Sequence, residues 1–224
     1  MKEIKSALIV GAGPGLSASL ARLFYKHNYT IALASRNTTK LNALAEETRA
    51  NVYECDASCK DDVNGLFDAV TKDIGTPDIV IYNPSARVRG PFVTVDTKKV
   101  EDALMVTAYG AFLVAQQSAR LMLERGTGSI FFTGASAGVK GYAQSASFAM
   151  GKFALRGLCQ SLARELSPEN IHIAHFVIDG GINNDAKDRM LSPEAIAETY
   201  WHIHSQHRSA WTWEIELRPW VETF

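Results

Sequence analysis

The sequence has 224 residues, of which 46% are hydrophobic and 21% are charged, and its formal net charge is -1 at pH 7. These values are ordinary for a globular protein, and they lack the basic excess that nucleic-acid and membrane-surface binding usually require. The first apolar run, residues 7–10, is too short for a signal peptide or a membrane-spanning helix. We therefore expect a cytoplasmic protein that binds neither nucleic acid nor membranes, with one domain over residues 1–224.

Neither the cysteines nor the clustered histidines predict a disulfide framework or a metal site. The three cysteines are an odd number, and Cys55 and Cys59 do not have the spacing of a zinc-binding pair, so we expect reduced thiols. Three histidines lie close together near the C-terminus, but no carboxylate or cysteine stands at a matching offset to complete a set of ligands. They are His202, His204 and His207.

Short apolar runs alternate along the chain with longer amphipathic segments. The runs predicted to be strands are Ile4–Val10, Thr30–Ala34, Val52–Cys55, Asp78–Tyr82, Ser129–Phe132, Ile171–Ile178 and Trp211–Leu217. The segments predicted to be helices are Pro14–His27, Thr38–Arg49, Lys60–Asp73, Val100–Glu124, Ser145–Leu166 and Pro193–Ser205. Repeated strand–helix–strand units predict an α/β fold, in which a doubly wound parallel sheet has helices on both faces.

A glycine cluster lies between the first predicted strand and the first predicted helix. Glycines in this place allow a tight turn and a close approach of the backbone to a pyrophosphate, while the helix N-terminus offers free N–H groups. A glycine-rich loop alone is a weak indication, but this structural context strengthens it. The predicted cofactor contacts here are Gly11, Gly13, Pro14, Gly15 and Leu16.

The residues after the second predicted strand distinguish between the two nicotinamide cofactors. An acidic side chain there would bind the ribose 2′-hydroxyl of NAD, but this sequence has Ser35 and Arg36. Arginine can pair with a 2′-phosphate and stack on adenine. The sequence therefore favours NADP (NADPH) as the cofactor, bound in part by Ser35 and Arg36.

From Ala7 to about Ile182 the sequence resembles the short-chain dehydrogenase/reductase family. Gly11 and Gly15 match the first two glycines of the family's G-x-x-x-G-x-G motif, and Ser17 replaces the third. Other matches are Asp56-Ala57 for the adenine contact, Asn83-Pro84-Ser85 for the Asn-Asn-Ala-Gly segment, residues 151–157 and 162–166 for the signature helix, and Asp179-Gly180 for the usual Pro-Gly.

The resemblance implies a Rossmann-type sheet of about seven strands in the order 3-2-1-4-5-6-7. It also implies cofactor contacts beyond the glycine loop, namely Asp56, Ala57, Asn83, Pro84, Ser85, Lys152, Gly180 and Ile182. A homodimer or homotetramer built on the two long helices is a further expectation, and residues 183–224 are expected to form a substrate loop and a C-terminal interface region. The four tryptophans all lie in the last 24 residues, where either interface packing or a pocket wall would account for them.

The catalytic positions of the family are mostly replaced. The family uses Asn, Ser and Tyr-x-x-x-Lys, and the corresponding positions hold Thr107, Ala135, Phe148 and Lys152. The chain therefore resembles a subgroup with phenylalanine in place of the tyrosine and with the lysine retained. Phenylalanine has no proton to exchange and alanine has no donor, so ordinary carbonyl reduction requires another group.

Two nearby hydroxyls are candidate replacements. Ser136 directly follows Ala135, and Tyr142 lies six residues before Phe148 in the loop that borders the substrate in the family. Tyr82 and Thr107 are further candidates, and Thr107 can also take the structural role of the family's asparagine. The predicted catalytic set is Lys152, Ser136 and Tyr142.

Three interpretations of function remain open at this point. The first is an NADP-linked oxidoreductase that transfers hydride to or from a small carbonyl or alcohol. The second is reduction of the conjugated carbon–carbon double bond of an enone. Negative charge then develops on a remote oxygen, which backbone donors or the cofactor ribose can stabilise while solvent supplies the proton. The third is a catalytically silent NADP-binding sensor, scaffold or partner subunit, because the changes fall on the proton-transfer positions while the nucleotide contacts are kept.

Overall fold

Seven strands form one parallel sheet in the computed structural model, which describes residues 5–184 and 187–223. The strands are β1 (Ser6–Val10), β2 (Thr30–Ser35), β3 (Asn51–Glu54), β4 (Ile79–Tyr82), β5 (Gly128–Thr133), β6 (Ile171–Ile178) and β7 (Glu214–Leu217). Their order is β3-β2-β1-β4-β5-β6-β7, and each neighbouring pair is parallel. The predicted fold class and strand order are confirmed.

Helices cover both faces of this sheet. They are α1 (Leu16–Lys26), α2 (Asn42–Thr48), α3 (Lys60–Ile74), α4 (Thr97–Leu104), α5 (Gly110–Arg125), α6 (Ala146–Leu166) and α7 (Pro193–His204). Buried side chains of α1, α2 and α7 form one apolar core with the sheet, and those of α3, α5 and α6 form the other. Alternate residues of each central strand enter opposite cores, so that Leu8 joins the second core and Ile9 the first.

Local signals place several helix starts. Asp96 caps α4 by accepting a hydrogen bond from the Lys99 backbone N–H at 3.0 Å. Ser192 does the same for α7, since its hydroxyl accepts from the Ala195 N–H at 3.3 Å, and Pro193 occupies the first helical position. Helix α1 has no side-chain cap and no acidic residue in its first turn, so no side chain occupies the N–H groups at its N-terminus.

The prediction of a single helix over Val100–Glu124 is wrong in part. In the structure, α4 begins at Thr97, a π-helical turn follows at Met105–Tyr109, and the helix then continues as α5. The apolar periodicity runs through this turn without a break, so the sequence does not reveal the inserted residue. The helix predicted over Thr38–Arg49 is a short 3-10 turn followed by α2.

The ends of three other elements differ from the prediction. Helix α1 is shorter than Pro14–His27, β7 is shorter than Trp211–Leu217, and Ile4 lies outside the described residues.

Trp201 stacks on His27 with ring centroids 3.7 Å apart, whereas Trp220 is 76% exposed. None of the tryptophans lines either of the two large cavities described below. Within the described ranges, no helix is both long and apolar enough to cross a bilayer.

Candidate active site

Two cavities lie side by side at the carboxyl edge of the sheet, where α/β proteins usually bind their ligands. The first, of about 620 Å³, lies beyond β1, β2 and β3, and the second, of about 680 Å³, lies beyond β4, β5 and β6. Asn83 and Ser85, which directly follow β4, line both cavities. An elongated ligand can therefore extend from one cavity into the other, and each cavity has the size of an ordinary small-molecule site.

Of the predicted contacts in the glycine loop, Gly11 lines the first cavity, whereas residues 13–16 do not. Gly11 has φ +78°, a conformation that strains other residues, and a Cβ atom built there would lie 2.7 Å from the ring of Pro84. The N–H groups of Gly11 and Ala12 both donate to the Ala34 carbonyl at 2.9 Å, which fixes the turn against β2. The predicted residues Gly13, Pro14 and Gly15 continue the loop into α1, whereas Leu16 is buried in the core.

Ser17 holds the loop in a way that the sequence does not reveal. It stands where the family has its third glycine, and its hydroxyl donates to the Gly11 carbonyl at 3.2 Å. The same oxygen accepts a hydrogen bond from the Asn83 side-chain amide at 2.7 Å. Ser17 therefore connects the glycine loop to the segment after β4, so that the departure from the glycine motif preserves the loop.

Most of the other predicted nucleotide contacts line the first cavity. These are Ser35, Arg36, Asp56, Ala57, Asn83, Pro84 and Ser85. Asn37 and Lys40 line it as well, although neither belongs to a motif that the sequence analysis used. The Asp56 carboxylate accepts hydrogen bonds from the Ser58 N–H and hydroxyl at 2.9 Å and 2.6 Å, which fixes the turn after β3.

Lys152 lies at the inner end of the second cavity. Its side chain is almost completely buried and its Nζ donates to the Thr133 carbonyl at 2.7 Å. Burial lowers the pKa of Lys152 to about 8, because the ammonium loses its hydration. The Thr133 hydroxyl in turn shares a hydrogen bond of 2.8 Å with the Tyr200 hydroxyl from α7.

The two predicted replacement hydroxyls contact each other in the same cavity. The Tyr142 hydroxyl donates to Ser136 Oγ at 2.9 Å, and both residues line the second cavity. The Lys140 Nζ lies 5.7 Å from the centroid of the Tyr142 ring, and hydrogen bonding to Tyr142 raises the pKa of Lys140. The pair is accessible to a substrate, because Tyr142 is 41% exposed.

The residues that the sequence resemblance aligns with catalytic positions have different surroundings. Phe148 and Ala135 both line the second cavity and offer no hydrogen-bond donor from their side chains. Thr107 is buried in the π-helical turn, where its Oγ1 accepts from the Ala86 N–H at 3.1 Å. Tyr82 is excluded as a proton donor, because its buried hydroxyl donates to the Val106 carbonyl and does not line either cavity.

The segment after β6 closes the second cavity. Gly180 and Ile182 both line it, as predicted for contacts to a nicotinamide, and Ile182 bridges to Leu191 across the predicted substrate loop. The neighbouring Asp179 is buried and paired with Arg218 at 2.7 Å and Lys140 at 3.6 Å. Part of that loop, residues 185–186, lies outside the described residues.

Three charged residues that line the second cavity were not predicted from the sequence. Arg87, Arg89 and Glu222 all line it, but they lie in a loop and in the C-terminal segment, where no motif marks them. One of the three histidines near the C-terminus, His204, uses both ring nitrogens in hydrogen bonds, with the Tyr29 hydroxyl at 2.8 Å and the Ser129 hydroxyl at 3.0 Å. The described part of the chain contains no cluster of three or more His, Cys, Asp or Glu side chains arranged for a metal ion.

Comparison with known proteins places this architecture in a family. The family model described as short chain dehydrogenase matches residues 5–195. A solved short-chain dehydrogenase from Rhodopseudomonas palustris is 33% identical, with a TM-score of 0.87 and coverage of 96% of this chain and 99% of that chain. The (+)-borneol dehydrogenase 1 of Salvia officinalis is 32% identical over 202 residues, which cover 84% of this chain and 76% of that protein.

A more distant structure extends the likeness in fold. The actinorhodin polyketide ketoreductase, solved with NADPH, has a TM-score of 0.90 at 20% identity and covers 98% of this chain and 97% of its own. The family model spans most of this chain, and the strand order is the one expected from the sequence resemblance. The chain belongs to the short-chain dehydrogenase family of oxidoreductases.

Proposed function

We propose that the protein is an NADP-linked oxidoreductase that transfers hydride to or from a small carbonyl, alcohol or enone, with Ser136 and Tyr142 supplying the proton. The observation that carries this proposal is the 2.9 Å hydrogen bond between the two hydroxyls, in the cavity that Lys152 also lines. The family's own serine and tyrosine positions, Ala135 and Phe148, offer no hydroxyl in that cavity.

The first cavity fits the nucleotide half of NADP. The uncapped N-terminus of α1 suits a pyrophosphate, because its free N–H groups and dipole favour a negative charge. Arg36 and Lys40 line the same cavity and can neutralise a 2′-phosphate. The close approach of Gly11 to Pro84 leaves no room for a side chain in this wall, which keeps the backbone open to a ligand.

The second cavity then supplies the proton chemistry. The bound cofactor would contribute the hydride, which goes to the carbonyl carbon during reduction. Ser136 can donate its proton to the carbonyl oxygen while it accepts one from Tyr142, because the tyrosine hydroxyl already donates to Ser136 Oγ. The Lys140 ammonium stabilises negative charge on Tyr142, and solvent can return the proton to its exposed hydroxyl.

Lys152 has a different role in this proposal. Its ammonium is bound to the Thr133 carbonyl and is far from bulk water, so it provides a fixed positive charge at the inner end of the cavity. A charge in such a site acts more strongly than one at the surface, because little solvent screens it. It can bind hydroxyl groups of a ribose, since an ammonium has three donors and only one is used here.

The experiment is NADPH oxidation by the purified protein with a panel of aldehydes, ketones and enones, together with NADPH binding by fluorescence. Tyr142→Phe and Ser136→Ala should each lower kcat by about 10²-fold or more while the Kd for NADPH stays the same. Tyr25→Phe in α1 is the matched control, because Tyr25 lies outside both cavities.

The other outcomes separate the alternatives. Binding of NADPH without turnover of any substrate would favour a silent NADP-binding sensor or partner subunit. If turnover survives both substitutions, the proposed proton path is wrong. Solvent would then supply the proton, or the substrate would be an enone. If neither NADPH nor NADH binds, the oxidoreductase proposal is wrong.

A further inference from the structure

The substrate cavity has an excess of positive charge on its outer wall. Arg87 and Arg89 both line it, and neither makes an ion pair with a carboxylate within residues 5–184 and 187–223. The buried carboxylate of the cavity, Asp179, is already paired with Arg218 and Lys140. Glu222 contributes one further negative charge. The cavity therefore has three positive side chains, Arg87, Arg89 and Lys152, and Glu222 is the carboxylate on its lining that is left to balance them.

The backbone that carries the two arginines is fixed in place. Ser147 Oγ accepts from the Val88 N–H at 3.1 Å and donates to the Val88 carbonyl at 2.9 Å. The Gly90 N–H donates to the Gln144 carbonyl at 3.1 Å. Three hydrogen bonds thus connect residues 88–90 to the segment at the start of α6, so the backbone that carries both arginines is held in place before a ligand arrives.

The side chain of Arg87 is itself oriented. Its Nε donates to the buried Ser145 Oγ at 3.0 Å, and its Cζ lies 5.0 Å from the centroid of the Phe148 ring. These contacts leave the two terminal nitrogens of the guanidinium without a hydrogen-bond partner among the described residues. Two parallel N–H groups of this kind match the oxygens of a carboxylate or a phosphate.

The two arginines also repel each other. Burial and the charge of Arg89 both lower the pKa of Arg87, with burial the larger cause. An anion bound between the two guanidinium groups would relieve this repulsion, whereas a neutral ligand would not. The held backbone keeps the two side chains on neighbouring parts of one loop, where both line the same cavity.

We infer that the substrate carries an anionic group, a carboxylate or a phosphate, and that Arg87 and Arg89 bind this group while its carbonyl lies near Ser136 and Tyr142. This inference rests on the proposed function for the identity of the second cavity as the substrate site. It narrows the substrate from any small carbonyl compound to an anionic one, for example an oxo acid.

The test compares three probes that share one ketone: 4-oxopentanoate, its methyl ester and (3-oxobutyl)phosphonate. Binding is measured by calorimetry or ligand-observed NMR on protein saturated with NADP⁺, which cannot reduce a ketone, so the result does not depend on turnover. We expect at least one of the two anions to bind about tenfold more tightly than the ester, since charge-assisted hydrogen bonds are the stronger kind. A preference between carboxylate and phosphonate identifies the anion.

Substitutions then assign this preference to the two side chains. Arg87→Gln and Arg89→Gln should each reduce binding of the preferred anion about threefold, and the double variant should bind that anion and the ester equally. Arg89 makes no hydrogen bond within the described residues, so Arg89→Gln is informative even if Arg87→Gln disturbs the loop. The control is Arg164→Gln, whose side chain bonds to its own helix at Gln160 far along α6.

The outcomes are distinct from those of the proposed function. If the wild-type protein binds neither anion more tightly than the ester, or if an anion preference survives in the double variant, the inference is wrong. Arginine-dependent anion binding without any NADPH oxidation would support the inference and count against the oxidoreductase proposal. An unchanged Kd for NADPH in the arginine variants would show that they do not act through the nucleotide.

Discussion

The guanidinium carbon of Arg87 lies 5.0 Å from the centroid of the Phe148 ring. Phe148 is the residue that the sequence resemblance aligns with the tyrosine of the family. The Lys152 Nζ lies 5.8 Å from the same centroid. The ring is thus placed next to two cations, both of which an aromatic face attracts. Phe148 therefore has a packing role with both cations, and a tyrosine at this position would retain the same ring face.

Phe148→Tyr should increase carbonyl reduction, because the new hydroxyl would lie four residues before Lys152 on the same side of α6. We expect kcat to rise about tenfold or more, and Ala135→Ser to add to the gain. Steady-state NADPH oxidation measures both effects. Phe153→Tyr on the same helix is the control, and no gain in the double variant would show that the cavity is shaped for the Ser136–Tyr142 pair alone.

Arg36→Ala should change cofactor preference rather than abolish binding. We expect the Kd for NADPH to rise about tenfold, since a charge-assisted contact to the 2′-phosphate is lost, while the Kd for NADH changes little. Fluorescence titration with both nucleotides checks this, and Arg164→Ala serves as the control. An equal loss for both nucleotides would mean that Arg36 does not distinguish them.

Gly11→Ala should destabilise the protein, because the new Cβ would meet Pro84 at 2.7 Å in a backbone conformation with φ +78°. Strain and overlap together should cost about 2–4 kcal/mol of unfolding free energy. Gly13→Ala is a matched control, since nothing lies within 4 Å of a Cβ atom there. Urea unfolding of both variants measures the difference, and equal stabilities would contradict the geometry of the glycine loop.

The buried Lys152 predicts a particular pH dependence of stability. Its pKa falls from 10.5 to about 8 on folding, so the charged form is disfavoured in the native state. This cost is fully present below pH 8 and disappears above pH 10.5, and its upper limit is about 3 kcal/mol. Relative to Lys152→Met, the wild-type protein should therefore gain stability as the pH rises through this range.

Urea unfolding at several pH values between 7.5 and 10.5 measures this gain for cofactor-free protein. The loss of the bond to Thr133 in Lys152→Met adds an offset that does not vary with pH, so only the slope is informative. Lys72→Met, at an exposed position in α3, is the control. If the unfolding free energies of wild type and Lys152→Met change with pH in parallel, burial of the Lys152 ammonium does not destabilise the folded protein.

The expected oligomer can be tested through exposed apolar side chains on the two long helices. Phe112, Met150 and Phe153 are 43%, 52% and 46% exposed in the single chain. Phe153→Glu should convert a dimer or tetramer to smaller species, because it would place a charge in an apolar contact. Sedimentation velocity checks this, with Val93→Glu in a loop as the control. An unchanged assembly would exclude α6 as the contact.

The sequence predicts the sheet well, because the central strands consist mainly of buried apolar residues, as in the run Ile79–Tyr82. It does not predict the π-helical turn that contains Thr107, since the apolar pattern is the same with or without the extra residue. Ser136 and Tyr142 are recognisable as separate candidates, but their contact depends on the loop that connects them. Arg87 lies outside any motif, and only its contacts to Ser145 and Phe148 make it part of the site.

Thr133 connects Lys152 in the second cavity to a helix on the opposite face of the sheet. Its carbonyl binds Lys152 from one helical layer, and its hydroxyl binds Tyr200 from the opposite layer. The lysine at the inner end of the cavity is therefore connected through the sheet to α7, a helix that lines neither cavity. We therefore expect substitutions that move Tyr200 to shift Thr133 and, through its carbonyl, the position of the Lys152 ammonium, although no α7 residue lines either of these two cavities.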